Sequence, residues 1–455
     1  MPLFAILLAC APEPVDARRA WLVEALNEDN RVWLGREPTL LETKYARMAA
    51  DPYDFMRGTA GVFVRDLARP GTDRAVMSFG VDPAATEILL VGDPHPENLS
   101  TFLPGEGPGP VWPEAGSLWL EVADMDGASY GPWTLDVRRA TLGLAVMLDG
   151  AGCDLTCRGV ALTAWADGYA DEVATPAYSS GLDGPVGGIL SRVRDEASEE
   201  GAKRERLDAF TSIAGEGRRF RLDSAVIDGD GVLALTPEEQ AQLDRLLDAY
   251  RGFDGRPVRV LDGARRFGVG VSSLPAVRYL VAWDRGGDGP EDDEMLELRE
   301  VVDPTLPVGL VEPVGWLYDD PAARIVETSQ TLWSFPEIDV RLDAMRDGAM
   351  TFKVRTWSSW SQSIDHEEVA EEARRDELAE LADQLGRHLA AVHRRTPTRD
   401  GGNGAGIIVT DLAGREADFA LEVVGVAERD LARNRLDHAL FLEALEIYGP
   451  RLGAP

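Results

Sequence analysis

The stretch EILLVGDPHPENLSTF, Glu87 to Phe102, limits the fold more than any other part of the chain. Its apolar run, Ile88 to Val91, is short for a core helix and is cut by Gly92. Neither Pro94 nor Pro96 can donate to a ladder, so a buried strand has to end there. Behind it comes a tight polar turn that carries Asp93, His95 and Asn98. A second apolar run, SLWLEVAD at 117 to 124, follows a Gly/Pro-rich loop and ends on Asp124 and Asp126. Strand, turn and strand read as a hairpin with acidic ends, which converges carboxylates and an amide on one place.

At 455 residues, with 44% hydrophobic and 27% charged side chains, the chain is long enough for two or three ordinary globular cores. A net charge of -33 repels nucleic acid and anionic membranes at long range and leaves small ligands open. Basic residues are almost all arginine, and the lysines are Lys44, Lys203 and Lys353. A site that needs a lysine therefore has few candidates.

Cysteines are equally scarce: Cys10, Cys153 and Cys157 cannot make a disulfide framework or a four-ligand zinc site. The spacing of Cys153 and Cys157 suits two small buried apolar residues in a helix. Cys10 ends the run MPLFAILLAC, which looks like a bacterial lipoprotein signal over residues 1–14, although the usual positive start is missing; an ordinary helix start is the other reading. A lipid on Cys10 would be the one route to a membrane and would place the protein in the cell envelope; without it the protein would be cytoplasmic. No other stretch has the apolar length of a membrane span.

Along the chain, residues 15 to 70, Leu135 to Leu148 and Val160 to Val173 carry helical periodicity. TPEEQAQLDRLLDAYRGF opens on a capping box, Thr236 with Glu239. Residues 257 to 302 hold three short strand-like runs, broken by a glycine-bearing turn at 268 to 273 and by an acidic hairpin loop. From Glu367 to His393 a long amphipathic helix puts Leu378, Leu381, Leu385 and Leu389 on one stripe.

Oxygen ligands such as Asn98, Asp124 and Asp126 suit magnesium, which takes one or two carboxylates and keeps positions open for phosphate oxygens. A neighbouring aspartate such as Asp93 can accept a hydroxyl proton. Taken singly, each acid is also what a solvated turn would use. Jointly they are the equipment of phosphoryl transfer.

GDPHPENL resembles the catalytic loop of aminoglycoside and choline kinase-like phosphotransferases, and EVADMDGASYGPWTLDVRR resembles their metal-binding strand end with its following helix. With KYARMAADPYDFMRGTAGVFVRDLA, FGVGVSS, LELREVV, ARIVETSQTLW, FKVRTW and LGRHLAAVHRR, the likeness is closer still to the bacterial domain-of-unknown-function 2252 family, from about Lys44 to Arg395. That resemblance implies an α+β, protein-kinase-like (aminoglycoside-phosphotransferase-like) fold. A larger helical lobe would run from 15 to 256, a small antiparallel-sheet lobe from 257 to 360, and C-terminal helices from 361 to 455 would pack on the helical lobe. It makes Asp93 the catalytic base, Asn98 and Asp124 magnesium ligands with Asp126 as a second acid, and Asp136 a structural anchor; His95 would shape the loop.

On the nucleotide side the resemblance points to Gly268, Gly270, Ser272 and Ser273 as a phosphate-covering turn. Arg299 stands where a kinase has a lysine, Glu327 would pair with it, and Arg355 would offset charge. The glycine turn follows the catalytic loop, against the usual kinase order, which implies a circular permutation. Ser358, Ser359 and Ser361 stand where further basic residues are expected. The expectation is ATP- and Mg2+-dependent transfer to a small-molecule or protein hydroxyl. The alternative is a degenerate pseudokinase that binds a nucleotide or partner without catalysis.

Overall fold

The computed structural model describes residues 13–69, 77–82, 85–104, 117–184, 186–215, 217–222, 231–251, 258–284, 289–290, 293–303, 312–313 and 320–454. Cys10 and residues 1–12 of the proposed signal lie outside them.

Helices α1 (Val15–Asp29), α2 (Arg31–Arg36), α3 (Pro38–Ala50), α4 (Pro52–Gly58) and α5 (Ala60–Ala68) open the described chain. Pro38 and Pro52 stand in first turns, where a missing N–H is harmless, and Asp51 caps α4 through the N–H groups of Tyr53 and Asp54. Four short strands follow, β1 (Glu87–Leu90), β2 (Leu99–Phe102), β3 (Trp119–Val122) and β4 (Ser129–Pro132). Then come α6 (Thr134–Gly150), α7 (Leu155–Ala174), α8 (Gly188–Lys203) and α9 (Glu205–Phe210), with the small ribbon β5 (Thr211–Ala214) and β6 (Gly217–Phe220).

The predicted hairpin is re-paired. β1 runs antiparallel to β4, while the run ending at Asp124 pairs with β2, Leu99 opposite Val122. The proline-closed turn sends the chain away from β1, so its true neighbour forms later in sequence. Convergence survives, because β2 begins where the turn ends.

A six-stranded antiparallel sheet is built from β7 (Gly231–Leu233), β8 (Arg259–Phe267), β9 (Arg278–Asp284), β10 (Glu294–Val301), β12 (Asp343–Asp347) and β13 (Met350–Thr356) in the order β12-β13-β10-β9-β8-β7. The bridge strand β11 (Glu312–Pro313) instead joins β4. α10 (Pro237–Ala249) covers one face of the large sheet through Leu243 and Leu246, which pack with Tyr279, Val281, Leu296, Leu298 and Val354. The sheet lobe therefore begins before the expected boundary at 257, because α10 and β7 belong to it. α11 (Pro321–Leu332), capped by Asp320, connects β10 to β12 and packs on β12 and β13.

The chain closes with α12 (His366–Glu372), α13 (Arg375–His393), α14 (Gly404–Leu412) and the 33-residue α15 (Glu416–Tyr448). The single helix expected from 367 to 393 is two. Ala373 turns extended and Glu377 caps a new start through the Arg374 N–H, 2.9 Å away. α13 presses closely on α7: a Cβ at Gly386 would lie 2.0 Å from the Trp165 carbonyl oxygen. Cys153 and Cys157, expected as unlinked apolar residues, form a disulfide between the end of α6 and the first turn of α7. The short connection between these helices folds back and brings both side chains together.

Candidate active site

Gly92 has φ of +89°, and a Cβ there would lie 2.0 Å from the carbonyl oxygen of Gly127, so only glycine allows the two acidic loops to touch. Asp136, in the first turn of α6, accepts from the backbone N–H groups of Val91 at 2.7 Å and Gly92 at 2.9 Å. His393 Nε2 stands 3.1 Å from the same carboxylate, and its Nδ1 meets the Tyr169 hydroxyl at 2.7 Å. A buried chain of polar groups thus holds the strand end in place.

Asn98 closes the other end of the turn. Its Nδ2 donates to the backbone oxygens of Asp93 (2.9 Å) and Asp124 (2.8 Å), and its Oδ1 accepts from the Asp124 N–H at 2.9 Å. This amide is a clip between the two loops. That task differs from the expected metal ligation and uses one acceptor position of its oxygen.

Asp93 Oδ1 is held at 2.5 Å by Nε of buried Arg139, whose Nη2 donates to the Met56 carbonyl at 2.6 Å. Asp93 Oδ2 lies 3.8 Å from Nε2 of His95. Burial lowers the His95 pKa to about 4, so this imidazole is neutral at pH 7. Arg139 sits inside the quoted motif DVRR, yet nothing in its spacing marks it as the partner of Asp93.

Asp124 and Asp126 share one cation. Arg299, buried on β10, donates to Asp124 Oδ2 at 2.7 Å and Oδ1 at 3.0 Å, and to Asp126 as well. Lys353 Nζ, on β13, adds a contact to Asp124 Oδ1 at 3.3 Å. Burial opposes ionisation of Asp124, but Arg299 and Lys353 hold its pKa well below the usual carboxylate range. Burial and the charge of Asp124 push Asp126 up to about 6 despite Arg299. Glu327, the expected partner of Arg299, is exposed on α11 and does not border this place. The helix phase turns Arg324 inward instead; it donates to the backbone oxygens of Asp126 (3.0 Å) and Ala128 (3.1 Å).

The glycine turn is fastened from outside. Gly268 and Gly270 both have positive φ, +80° and +69°. Arg47 Nη1 donates to the Gly270 oxygen and Lys44 Nζ to the Ser272 oxygen, each at 3.1 Å. Val271 and Ala276 are buried against Leu22, Trp33, Leu41 and Phe441 of the helical lobe. Burial lowers Lys44 to a pKa of about 8.

These groups enclose a cleft of about 320 Å³ between sheet and helices. It is lined by Asp93, Asn98, Asp124, Asp126, Gly270, Ser272, Ser273, Arg299 and Arg355. Gly268 stands just outside the lining. Sequence reasoning missed Lys44, Arg139, Arg278 and Lys353. The scarcity of lysine was the available signal, since two of the three lysines serve this cleft.

Beside the cleft, Glu97, Asp365 and His366 offer ligand atoms within 4.8 Å of one another. Protein partners already engage Glu97: His366 Nδ1 at 2.5 Å and Arg57 at 2.6 Å.

No curated protein and no solved structure matches the chain significantly. The profile of the uncharacterized protein family conserved in bacteria known as DUF2252 matches residues 36–444, and the chain belongs to that family.

Proposed function

We propose that this protein is a phosphotransferase of circularly permuted, protein-kinase-like fold that uses ATP and magnesium to phosphorylate a hydroxyl. One observation carries the reading: Asp93, Asn98 and Asp124 meet the Gly270 to Ser273 turn across a single cleft. The strand order supports it. Five antiparallel strands lie in the order β8, β9, β10, β13, β12, with the glycine turn between β8 and β9 and α11 between β10 and β12 in the chain, in keeping with the small antiparallel-sheet lobe that the kinase resemblance implies.

The donor set fits a hard divalent cation. Asp124 and Asp126 lie side by side and already hold one positive group, Arg299, between them. Magnesium bound there would screen phosphate charge during transfer. Arg139 fixes the Asp93 carboxylate through Oδ1, which leaves Oδ2 to accept the proton of an acceptor hydroxyl. The hydroxyl oxygen bonds to the terminal phosphorus as the bond to the leaving phosphate breaks. Arg299, Lys353 and Arg355 would offset the charge left on the donor. The fastened turn holds the donor in one pose, which favours in-line attack.

Purified protein with magnesium and ATP is expected to release phosphate slowly to water. Asp93→Asn would lower that rate about 10²- to 10⁴-fold. Equal rates in both proteins would refute the assignment.

A second reading is a nucleotide- or partner-binding scaffold without catalysis, favoured by the ion pairs on Asp93, Asp124 and Asp126. Thermal stabilisation by magnesium nucleotide with no phosphate release would select it. An envelope position through a lipid on Cys10, or a cytoplasmic one without it, is part of the proposal and is checked by intact mass. No helix among the described residues is long and apolar enough to cross a membrane.

A further inference from the structure

On the sheet side of the cleft, cations outnumber the carboxylates that meet them. Cross-strand register places Arg278 on β9 opposite Arg299 on β10, and Arg299 opposite Lys353 on β13. Three buried cations therefore form one row across three strands. Like charges directly opposite on a sheet repel, so such a row weakens the unliganded fold.

The next row repeats the excess. Glu297 pairs in register with Arg355, and this one carboxylate serves three guanidinium groups: Arg355 Nε at 2.8 Å, Arg266 Nη1 at 2.9 Å and Arg278 Nη1 at 3.3 Å. Leaving Arg266 aside and counting Asp124 and Asp126 as well, four cations, Arg278, Arg299, Lys353 and Arg355, face three carboxylates among the described residues. The other acids bordering the cleft are engaged elsewhere: Asp29 by Arg65 at 2.7 Å, Asp93 by Arg139 at 2.5 Å, Glu97 by Arg57 at 2.6 Å, Glu300 by Arg36 at 2.6 Å and Asp303 by Arg324 at 3.2 Å.

Two details aim this charge at the glycine turn. Arg278 Nη2 donates to Ser273 Oγ at 2.7 Å and Arg299 Nη1 to the same oxygen at 3.1 Å. A Cβ on Gly270 would lie 3.9 Å from Arg278 Nη2, so turn backbone and guanidinium are adjacent. The Nε–H groups of Arg278 and Arg299 are buried without an acceptor among the described residues. Burial and the neighbouring Arg299 and Arg266 charges depress Arg278 to a pKa of about 10, against the pull of Glu297.

We infer that Arg278, Arg299 and Arg355, on three neighbouring strands, with Ser273 and with Lys353 behind Asp124, form a subsite for an oligophosphate chain that binds without a divalent cation. It rests on the cleft being the phosphodonor site proposed above. The row spans two strand spacings, about 10 Å, which suits a chain of phosphates better than a single phosphate. Recognition is by charge and by N–H donors, so the chain need not carry a nucleoside. The metal at Asp124 and Asp126 would then serve transfer and not docking.

The test is calorimetric titration of the full chain with inorganic tripolyphosphate, in EDTA and in magnesium. Binding is expected in EDTA. Arg278→Gln should weaken it about tenfold or more, because a charged hydrogen-bonding group is lost, with Ser273→Ala weaker by a smaller factor. Arg245→Gln, which breaks a surface pair with Asp347, should leave it unchanged. Melting without ligand checks that each variant folds, and Arg278→Lys stands in if Arg278→Gln does not. Binding that appears only with magnesium, or that is equally tight in Arg278→Gln and Ser273→Ala, overturns the inference. Binding in EDTA with no phosphate release from ATP would sink the transferase reading and leave the subsite standing.

Discussion

Two buried charge clusters in this molecule use the same side chains to opposite ends. In the helical lobe, Arg18 of α1 donates to Asp66 at 2.6 and 2.8 Å and to Asp437 at 2.8 and 2.5 Å, and Arg69 adds 3.4 Å to Asp66. Carboxylates there fully match the cations, with Glu13 adding a third acid 2.7 Å from Arg69, and the cluster ties α1, α5 and α15 together. In the sheet lobe the row of Arg278, Arg299 and Lys353 lacks that balance. The first cluster is a finished lock. The second is incomplete until an anion arrives, and only an incomplete cluster beside a cleft reads as a binding site.

The sharpest way to break this contrast is substitution. Arg18→Met takes the buried guanidinium from both Asp437 and Asp66 and should cost about 3–5 kcal/mol in denaturant unfolding. Lys353→Met removes one of three repelling charges while Arg299 still pairs with Asp124, so it should leave unliganded stability unchanged or raise it. Comparable losses in the two variants would erase the distinction.

A smaller effect lies in pH. Burial and the charge of Arg299 lower Lys353 to a pKa of about 8, below the usual 10.5. Between these values the unfolded chain binds the extra proton, so stability gains with rising pH; the burial penalty is complete below about 8 and relieved by 10.5. Wild type should therefore gain on Lys353→Met across that window when unfolding is measured at pH 7 and pH 10. A parallel pair of curves would mean that Lys353 does not titrate there.

Much of the site was legible because turn chemistry is local. GDPHPENL could end only a buried strand, and the glycine turn at 268 to 273 declared itself between two apolar runs. Pairing was not legible. Whether β1 meets β3 or β4 depends on which segments share a core, and the run at 117 to 124 fits either. Partners separated by long stretches of chain were hidden for the same reason: Arg139 on Asp93, and Lys353 beside Arg299, follow from helix phase and strand register. Glu327 failed on that ground too, since one step of helix rotation exposes it and buries Arg324.

The central claim is tested most directly by a crystal structure with magnesium and a non-hydrolysable ATP analogue. Phosphates lying against Gly270 to Ser273 and Arg278, with Arg299 drawn from Asp124 and Asp126 toward them, are the predicted result. An empty cleft at saturating nucleotide, or a nucleotide bound elsewhere on the chain, would contradict it.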